Sequence, residues 1–521
     1  YLWATDTVRA MSLKRRYSSA IMELKAPKQE QSPPLSPRSS IRSQNKYSPT
    51  AYPAPETESR DSELHLERMH AVNEQQRRLF RDPRAVALLE TFETAETKFP
   101  RTYYSRLSSQ GRHILAGGQP AQTSSNHHEA DFLTMNLSEL DLWLRHGSGD
   151  KVILLRDRPW ALNRPATTSV DMLLEAAFID PDMHLDVQDL GQRYSSTSPS
   201  VCALKLQDAI VRMQDRVSAP INLLNIECKD DLLTPPPLYT HCKELVNATR
   251  YASSQAVRQV GQMNDLGKKV VDTMHKHAID IASCIKFQIN GQAGAISSWH
   301  MDNMGVSTWV TLEPNSKPKY DVEESLRKDD NFFSTREDES VLKLWAIIST
   351  HTPEDEIEAR KGFAKYGEDW NPPEKWIKVL ALTRFDTLIM PPGTIHAPIT
   401  VTDCLFRGRM VIQKRFLKES LMHWKSCTDN PHCTNEKMPK QTRAVIDYLE
   451  RLITTDPQGC GFSVSELDKV KEDCRKITAG ALSCSCKGSC TKGTCSCLVY
   501  GQRCAAGCHK GKECQNPCGW R

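Results

Sequence analysis

The feature that most constrains how this chain can fold is a dense group of cysteines near its C-terminus. Nine of the 18 cysteines lie between Cys484 and Cys518, and the others are scattered over the rest of the sequence. A segment this short cannot bury a useful apolar core, so its fold needs cross-links. An odd number of cysteines argues against closed disulfide pairing. No secretory segment is visible upstream, so a reducing compartment and metal binding are expected.

Zinc is the metal that fits this cysteine pattern best. Nine thiolates can hold about three tetrahedral Zn(II) ions when some of them bridge two metals, and Cys-x-Cys pairs place neighbouring sulfurs where they can reach different ions. We therefore expect a structural zinc module over residues 480–521. Its expected ligands are Cys484, Cys486, Cys490, Cys495, Cys497, Cys504, Cys508, His509, Cys514 and Cys518.

The charge of the chain leaves its macromolecular partner open. A net charge of +4 provides no strong overall field that would attract nucleic acid. Within the zinc module, lysines and arginines outnumber the single acidic residue, Glu513, which favours contacts with phosphate. The negative charge of a zinc–thiolate cluster offsets most of that excess. We expect the module to bind DNA, and a purely structural or protein-docking role is the alternative.

The rest of the sequence divides into four parts. Residues 1–61 are dominated by Ser, Pro, Gln and charge and are expected to be disordered. Residues 62–149 are expected to be helical or irregular, residues 150–415 globular, and residues 416–479 helical. No apolar run is long enough to cross a bilayer, so no membrane partner is expected. Because the chain starts at Tyr1 rather than Met, we expect the true N-terminus to lie upstream.

Short strand-like runs dominate the region between residues 285 and 413. They alternate with Gly, Pro and Asn turns, a pattern typical of a β-sandwich or barrel. A polar insertion at 314–340 and a helical one at 354–366 interrupt it, and two further strands are predicted upstream, at 151–155 and 221–226. The strands predicted in the main region are Ile285–Ile289, Ser307–Leu312, Leu342–Ile348, Val379–Thr383, Thr387–Met390 and Leu405–Ile412.

One His-x-Asp triplet in this region is a candidate metal site. Residues i and i+2 of a strand face the same side, so His300 and Asp302 would both point into a barrel, where His396 could join them. Two His and one carboxylate leave open positions on a metal, as a non-haem Fe(II) oxygenase requires. The triplet alone is weak evidence, because three other His-x-Asp/Glu triplets occur in the chain. An ordinary, partly buried histidine is the alternative.

The segments around these residues resemble those of JmjC-domain oxygenases, especially the histone lysine demethylase branch. The likeness covers roughly residues 150–415 and rests on three segments: "SSWHMDNMGVSTWV", "DTLIMPPGTIHAPITVTDCLFRGRMV" and the upstream "INLLNIECKDDLLTPPPL". The resemblance implies a double-stranded β-helix (the jelly-roll or cupin fold) with helical decoration, and an α+β fold class for the whole chain. It also implies that His300, Asp302 and His396 are the iron ligands.

The same resemblance implies 2-oxoglutarate as the co-substrate, with a cation for its far carboxylate. Lys343 in "VLKLWAII" matches the family's lysine, and a lysine that points into an apolar barrel needs an acidic partner. Lys317 and Lys319 are the alternatives, because their distance along the chain from His300 is nearer the family's usual interval. Ser297 stands where the family has a Thr that hydrogen-bonds the same carboxylate.

The cysteine segment resembles the CXC domain of tesmin/TSO1-like proteins, including the Cys-Gln-Asn tripeptide that begins at Cys514. The family's next-to-last Cys is absent, and His509 or Cys518 is the candidate substitute. Thr494 stands where the DNA-binding members have Tyr before the fourth Cys. Only one copy of the motif is present, whereas the well-known DNA binders have two.

Together these features predict a nuclear chromatin protein that binds Fe(II), 2-oxoglutarate and Zn(II). The expected function is oxidative demethylation of histone lysine, with a histone or another protein as substrate and DNA as a further partner. One alternative is protein hydroxylation by the same iron centre. Another, from a different class, is a DNA- or chromatin-binding regulator whose barrel is catalytically silent.

Overall fold

The computed structural model describes residues 56–156, 173, 183–194, 201–227, 234–260, 285–313, 341–384, 386–435 and 441–480. The helices in these stretches are α1 (Glu56–Phe80), α2 (Pro83–Lys98), α3 (Tyr103–Gly117), α4 (Leu137–His146), α5 (Leu206–Gln214), α6 (Pro236–His241), α7 (Glu244–Val260), α8 (Pro353–Tyr366), α9 (Leu417–Asp429), α10 (Thr442–Thr455) and α11 (Leu467–Gly480). The strands are β1 (Gln119–Pro120), β2 (Phe132–Met135), β3 (Val152–Leu155), β4 (His184–Asp189), β5 (Val201–Lys205), β6 (Ile221–Glu227), β7 (Phe287–Gly291), β8 (Ser307–Glu313), β9 (Lys343–Ile348), β10 (Ile377–Leu382), β11 (Thr387–Met390), β12 (His396–Thr400) and β13 (Cys404–Val411).

These strands form two sheets. The smaller sheet has the order β1-β10-β9-β12, and the larger one has the order β2-β3-β11-β8-β13-β7-β6-β4-β5. Both sheets are mixed, because β1 pairs with β10 and β2 pairs with β3 in parallel, whereas the other pairings are antiparallel. The larger sheet joins strands from before residue 156 to strands from the region after residue 285, so distant parts of the chain share one framework.

The two sheets pack face to face through alternate residues of β9. The ring of Trp345 lies 6.1 Å from that of Phe406 on the larger sheet, and its indole N–H donates to the sulfur of Met390 at 3.2 Å. Leu344 and Ala346 belong to a different buried cluster, on the other side of the strand. Because side chains alternate along a strand, β9 separates an interior between the sheets from an outer apolar layer.

Helices cover the outer side of the smaller sheet. Phe92 of α2 and Ile114 of α3 are buried in the same cluster as Leu344 and Ala346, as is Phe363 of α8. Caps set where these helices begin. Asp82 accepts a hydrogen bond from the amide of Arg84 before α2, and Thr102 accepts one from Ser105 in α3. Burial of one apolar stripe then holds each helix against the sheet.

The C-terminal helices pack on the other apolar cluster, which contains Trp345 and Phe406. Ile446 and Leu449 of α10 and Ile477 of α11 are fully buried together with Leu245 of α7 and Met410 of β13. Three of these helices, α9, α10 and α11, lie between Leu417 and Gly480. These helices contact the strands directly, so they form part of the same compact unit, which begins at Ser59.

The structure confirms an α+β fold with large mixed sheets and flanking helices. The predicted zinc ligands, all between Cys484 and Cys518, lie outside the described residues, and so does most of the segment predicted to be disordered. Helix α1 begins at Glu56, before the boundary predicted at residue 62. Among the described residues, no helix combines the length and the hydropathy that a membrane crossing requires.

Candidate metal centre

Three polar side chains from two separate segments meet beside the interior between the sheets. His300 and Asp302 lie just before β8, and His396 is the first residue of β12. The amide of His300 donates to the carbonyl of His396 at 3.0 Å, and the reverse hydrogen bond is 2.9 Å long. One possible ligand atom from each of the three residues lies within 4.8 Å of the other two. The structure therefore brings together all three residues predicted as iron ligands.

Both imidazoles are oriented by hydrogen bonds to nearby backbone. Nδ1 of His300 lies 2.7 Å from the carbonyl oxygen of Ser298, and Nδ1 of His396 lies 3.0 Å from that of Thr394. A carbonyl oxygen can only accept, so Nδ1 of each ring carries a proton and donates it. In a neutral imidazole, a proton on Nδ1 leaves the lone pair of Nε2 available for a metal ion.

Burial keeps the first imidazole neutral. His300 is 7% exposed, and burial together with the nearby His396 lowers its pKa to about 3, although Asp302 and the carbonyl of Ser298 act in the opposite direction. The carboxylate of Asp302 lies 3.8 Å from Nε2 of His396. A neutral imidazole and a carboxylate are the forms in which these side chains bind a divalent cation.

A tight loop follows Asp302 in the chain. Met304 has a φ of 63° and Gly305 a φ of 56°, so the chain turns sharply before β8. A Cβ on Gly305 would lie 1.9 Å from the carbonyl oxygen of Ser420 in α9. Only glycine fits both the backbone angle and the contact. Helix α9 thus packs directly against the loop that follows the metal-ligand pair.

A second turn leads into His396. Gly393 has a φ of 76°, and a Cβ at this position would lie 2.3 Å from the ring of His423. Burial lowers the pKa of His423 to about 3, with a further contribution from the charge of Arg360. The neutral ring therefore packs against the turn from α9. This turn and the loop after Asp302 both rest on α9.

A buried lysine lies further along the same interior. Lys343 is 2% exposed, its ammonium donates to the hydroxyl of Thr400 at 2.8 Å, and it lies 4.5 Å from the ring centre of Phe406. Among the described residues, no carboxylate forms an ion pair with it. Burial lowers the pKa of Lys343, and Cys404 acts in the opposite direction. An anionic ligand that reached this buried ammonium would stabilise its charged form.

The lysine and the metal-ligand triad share one side of the small sheet. Thr400 pairs with Lys343 and His396 pairs with Ile347, so the two sites lie roughly 13 Å apart along β9. Between them, the ring of Trp345 stacks on that of His396, with centroids 5.5 Å apart and an interplanar angle of 14°. Metal ligands, an aromatic ring and a cation therefore follow one another along the same face of β9 and β12.

Sequence reasoning missed three residues beside Lys343. A Cβ on Gly291 would lie 3.0 Å from both the hydroxyl of Thr400 and the side-chain oxygen of Asn222, so a larger residue there would crowd both side chains. That oxygen of Asn222 is buried and has no hydrogen-bond partner in the described part of the chain. Thr400 could have been found, since it follows His396 by four residues on one strand and shares its face. Asn222 could not, because it comes from a distant strand of the other sheet.

The structure says less about the other residues predicted to bind 2-oxoglutarate, which are Ser297, Lys317 and Lys319. Ser297 is half-buried, and its amide donates to the carbonyl of Pro398 at 3.1 Å, which sets it beside β12. Lys317 and Lys319 lie outside the described residues. Lys343 is therefore the predicted cation that the structure brings into the interior with the metal ligands.

The sequence was also compared with known proteins. No family model matches it, and no curated protein does either. The JmjC and CXC resemblances thus rest on the motifs quoted above, and the functional argument rests on the geometry of this site.

The side chains fit the two groups that the resemblance implies. One nitrogen from each of the two imidazoles and one carboxylate oxygen lie within 4.8 Å of one another, the donor set typical of non-haem Fe(II). Lys343 donates to the hydroxyl of Thr400 at 2.8 Å, and among the described residues it forms no ion pair with a carboxylate. The first group suits a divalent cation, and the ammonium suits the far carboxylate of a dicarboxylic acid.

Proposed function

We propose that this chain is an Fe(II)- and 2-oxoglutarate-dependent dioxygenase of the JmjC type, which demethylates histone lysine in chromatin. His300, Asp302 and His396 would bind the iron, and Lys343 would bind the far carboxylate of 2-oxoglutarate. The two facing sheets would correspond to the JmjC jelly roll. DNA binding by the C-terminal cysteine module and a nuclear location belong to the same proposal.

The observation that carries this proposal is the convergence of the three ligands. Residues 300 and 396 are far apart in sequence, yet their side chains and that of Asp302 offer ligand atoms within 4.8 Å of one another. An ordinary buried histidine needs one hydrogen-bond partner, whereas here two neighbouring rings both have Nδ1 hydrogen-bonded, and Nε2 of His396 lies 3.8 Å from the carboxylate of Asp302. The uncompensated Lys343 in the same interior supports an anionic co-substrate beside the metal.

Each residue has a definite task in this scheme. Iron with 2-oxoglutarate supplies the activation of O2 for C–H oxidation, which on an N-methyl group yields formaldehyde and an amine. His300 and His396 present Nε2 in a fixed orientation because their Nδ1 protons are bound to backbone carbonyls. Lys343 would hold the co-substrate's far end, and the rings of Trp345 and Phe406 would form an apolar wall beside it.

Turnover assays on the full chain with Fe(II), 2-oxoglutarate and methylated histone peptides test this proposal. We expect succinate and formaldehyde in equal amounts from the wild type and loss of both from Asp302→Ala, because an anionic ligand is removed. Asp150→Ala, at an exposed aspartate outside the site, is the matched control and should keep full turnover.

The outcomes separate the alternatives. Succinate without formaldehyde would point to hydroxylation of a protein instead of demethylation. Unchanged 2-oxoglutarate consumption by Asp302→Ala would refute the metal-site assignment. Absence of succinate from the iron-loaded wild type with every peptide and protein substrate tried would leave the chain as a catalytically silent regulator.

A further inference from the structure

The two segments that carry the metal ligands are bridged by one arginine of α8. Nη1 of Arg360 donates to the carbonyl oxygen of Gly393 at 2.5 Å and lies 3.4 Å from the sulfur of Met301. Gly393 belongs to the turn that leads into His396, and Met301 lies between the other two ligands. A single guanidinium therefore contacts both sides of the ligand set without touching a ligand itself.

Arg360 is held in place by its neighbours. Its Nε donates to Glu356 at 2.7 Å, and the second oxygen of that carboxylate accepts from the hydroxyl of Thr350 at 2.6 Å. Thr350 follows the end of β9, so the network also reaches the strand that pairs with β12. The planar guanidinium can serve these acceptors together, whereas a lysine ammonium in the same place could not match their geometry.

Helix α8, which carries Arg360, is itself fixed to the ligand segment. The ring of Phe363 lies 5.7 Å from that of Trp370, and Trp370 lies 6.5 Å from Trp299. Trp299 is fully buried and directly precedes His300. Packing through these rings leaves α8 little freedom to shift relative to the site. The hydrogen bonds of Arg360 therefore act from a rigid support.

We propose that Arg360 is a positioning residue, which fixes the spacing between His396 and the His300–Asp302 pair and thereby sets the affinity of the site for a divalent metal ion. The proposal rests on the metal site of the proposed function. Metal ligands must be held within a fraction of an ångström of their bound geometry, so loss of a support outside the ligand set lowers affinity.

The test is a titration of the metal-free full chain with Co(II), followed by the visible absorption of the bound ion. Arg360→Met should weaken Co(II) binding about 10-fold and change the shape of the absorption band. Arg360→Lys keeps one donor and should recover part of the affinity. Lys361→Met removes the same charge from an exposed neighbour and should bind Co(II) as the wild type does.

Further variants make the result decisive. If Arg360→Met does not fold, the variant Glu356→Gln is tested in its place. This change keeps Arg360 but removes the carboxylate charge that orients its guanidinium. Weaker Co(II) binding is again expected. Wild-type affinity in either folded variant, or equal losses in Arg360→Met and Lys361→Met, would overturn the role of Arg360. If His396→Ala binds Co(II) as tightly as the wild type, the metal site of the proposed function fails instead.

Discussion

Lys343 is the residue whose environment depends most on a ligand. Its ammonium is buried and bonds to the hydroxyl of Thr400, with no carboxylate partner among the described residues. Burial of a charge without a counter-ion lowers the stability of the folded state. The same feature favours an anion that enters the interior. Removal of this charge should therefore raise the unfolding free energy of the ligand-free protein and lower its affinity for the co-substrate.

The variant Lys343→Met tests that opposition. It should raise the Kd of 2-oxoglutarate about 30-fold or more, because the buried charge partner of the carboxylate is lost. It should also raise the unfolding free energy of the ligand-free protein by roughly 1–4 kcal/mol, since an apolar chain replaces a buried cation. Isothermal titration and urea unfolding measure the two effects. Lys378→Met, which removes an ammonium bonded to Gln119 outside the interior, is the control and should change neither.

The pH dependence of the wild type follows from the same group. Burial lowers the pKa of Lys343 below its ordinary value of 10.5, so the unfolded chain binds more protons than the folded one between the two values. The unfolding free energy of the ligand-free protein should therefore gain a contribution as pH rises through that window. Affinity for 2-oxoglutarate should fall over the same window, because it needs the ammonium form. A pH dependence in Lys343→Met equal to that of the wild type would contradict this assignment.

Among the elements, the strands follow their sequence patterns closely. Thr387–Met390 is predicted and observed with the same bounds, and Ser307–Leu312 differs from β8 by one residue. β-Branched and apolar runs bounded by Gly, Pro and Asn define such strands locally. β12 was not predicted as a strand, and Pro398 lies within it. β12 is the last strand of its sheet and is joined on its outer side by isolated bridges to Ile296 and His300, a position where proline is tolerated.

The two turns at the site depend on contacts between elements rather than on local pattern. Gly305 has a positive φ and lies against the carbonyl of Ser420, and Gly393 lies against the ring of His423. Both partners come from α9, which follows in sequence only after the last strand. The sequence shows that both residues are glycine, but only the position of α9 shows why no larger side chain fits there.

Gly305→Ala tests how far this packing supports the metal ligands. The added Cβ would collide with backbone of α9 and the backbone angle would be strained, so we expect a loss of about 1–3 kcal/mol in unfolding free energy. Co(II) affinity should fall as well, because the loop follows Asp302 directly. Gly191→Ala, where the nearest atom is a side-chain oxygen at 3.2 Å, is the control and should change affinity little. Unaltered Co(II) binding in a destabilised Gly305→Ala would show that the loop does not position the carboxylate.

Across the whole molecule, the site connects parts of the chain that are remote in sequence. Asn222 comes from β6, Lys343 from β9 and His396 from β12, and the sheets bring them to one interior. A ligand that bridges these strands stabilises only the folded arrangement. Binding should therefore be measurable as an increase in the stability of the entire unit.

Thermal unfolding with and without ligands measures this coupling. Ligand at about 100 times its Kd adds about 2.7 kcal/mol to the unfolding free energy. We expect Co(II) to raise the Tm of the wild type, and 2-oxoglutarate to raise it further. Asp302→Ala should lose the Co(II) effect, whereas Asp150→Ala should keep it. An equal Tm increase in Asp302→Ala would place the metal elsewhere in the chain.

The sequence by itself determined most strand positions in the main region, the helical segments around it, and the residue types able to bind a metal. These depend on local periodicity and on the chemistry of single side chains. Only the tertiary structure decided that His396 meets His300 and Asp302, that Lys343 lies buried in the same interior, and that Arg360 spans the two ligand segments. Such contacts depend on how distant strands and helices pack, and no pattern within one segment encodes that packing.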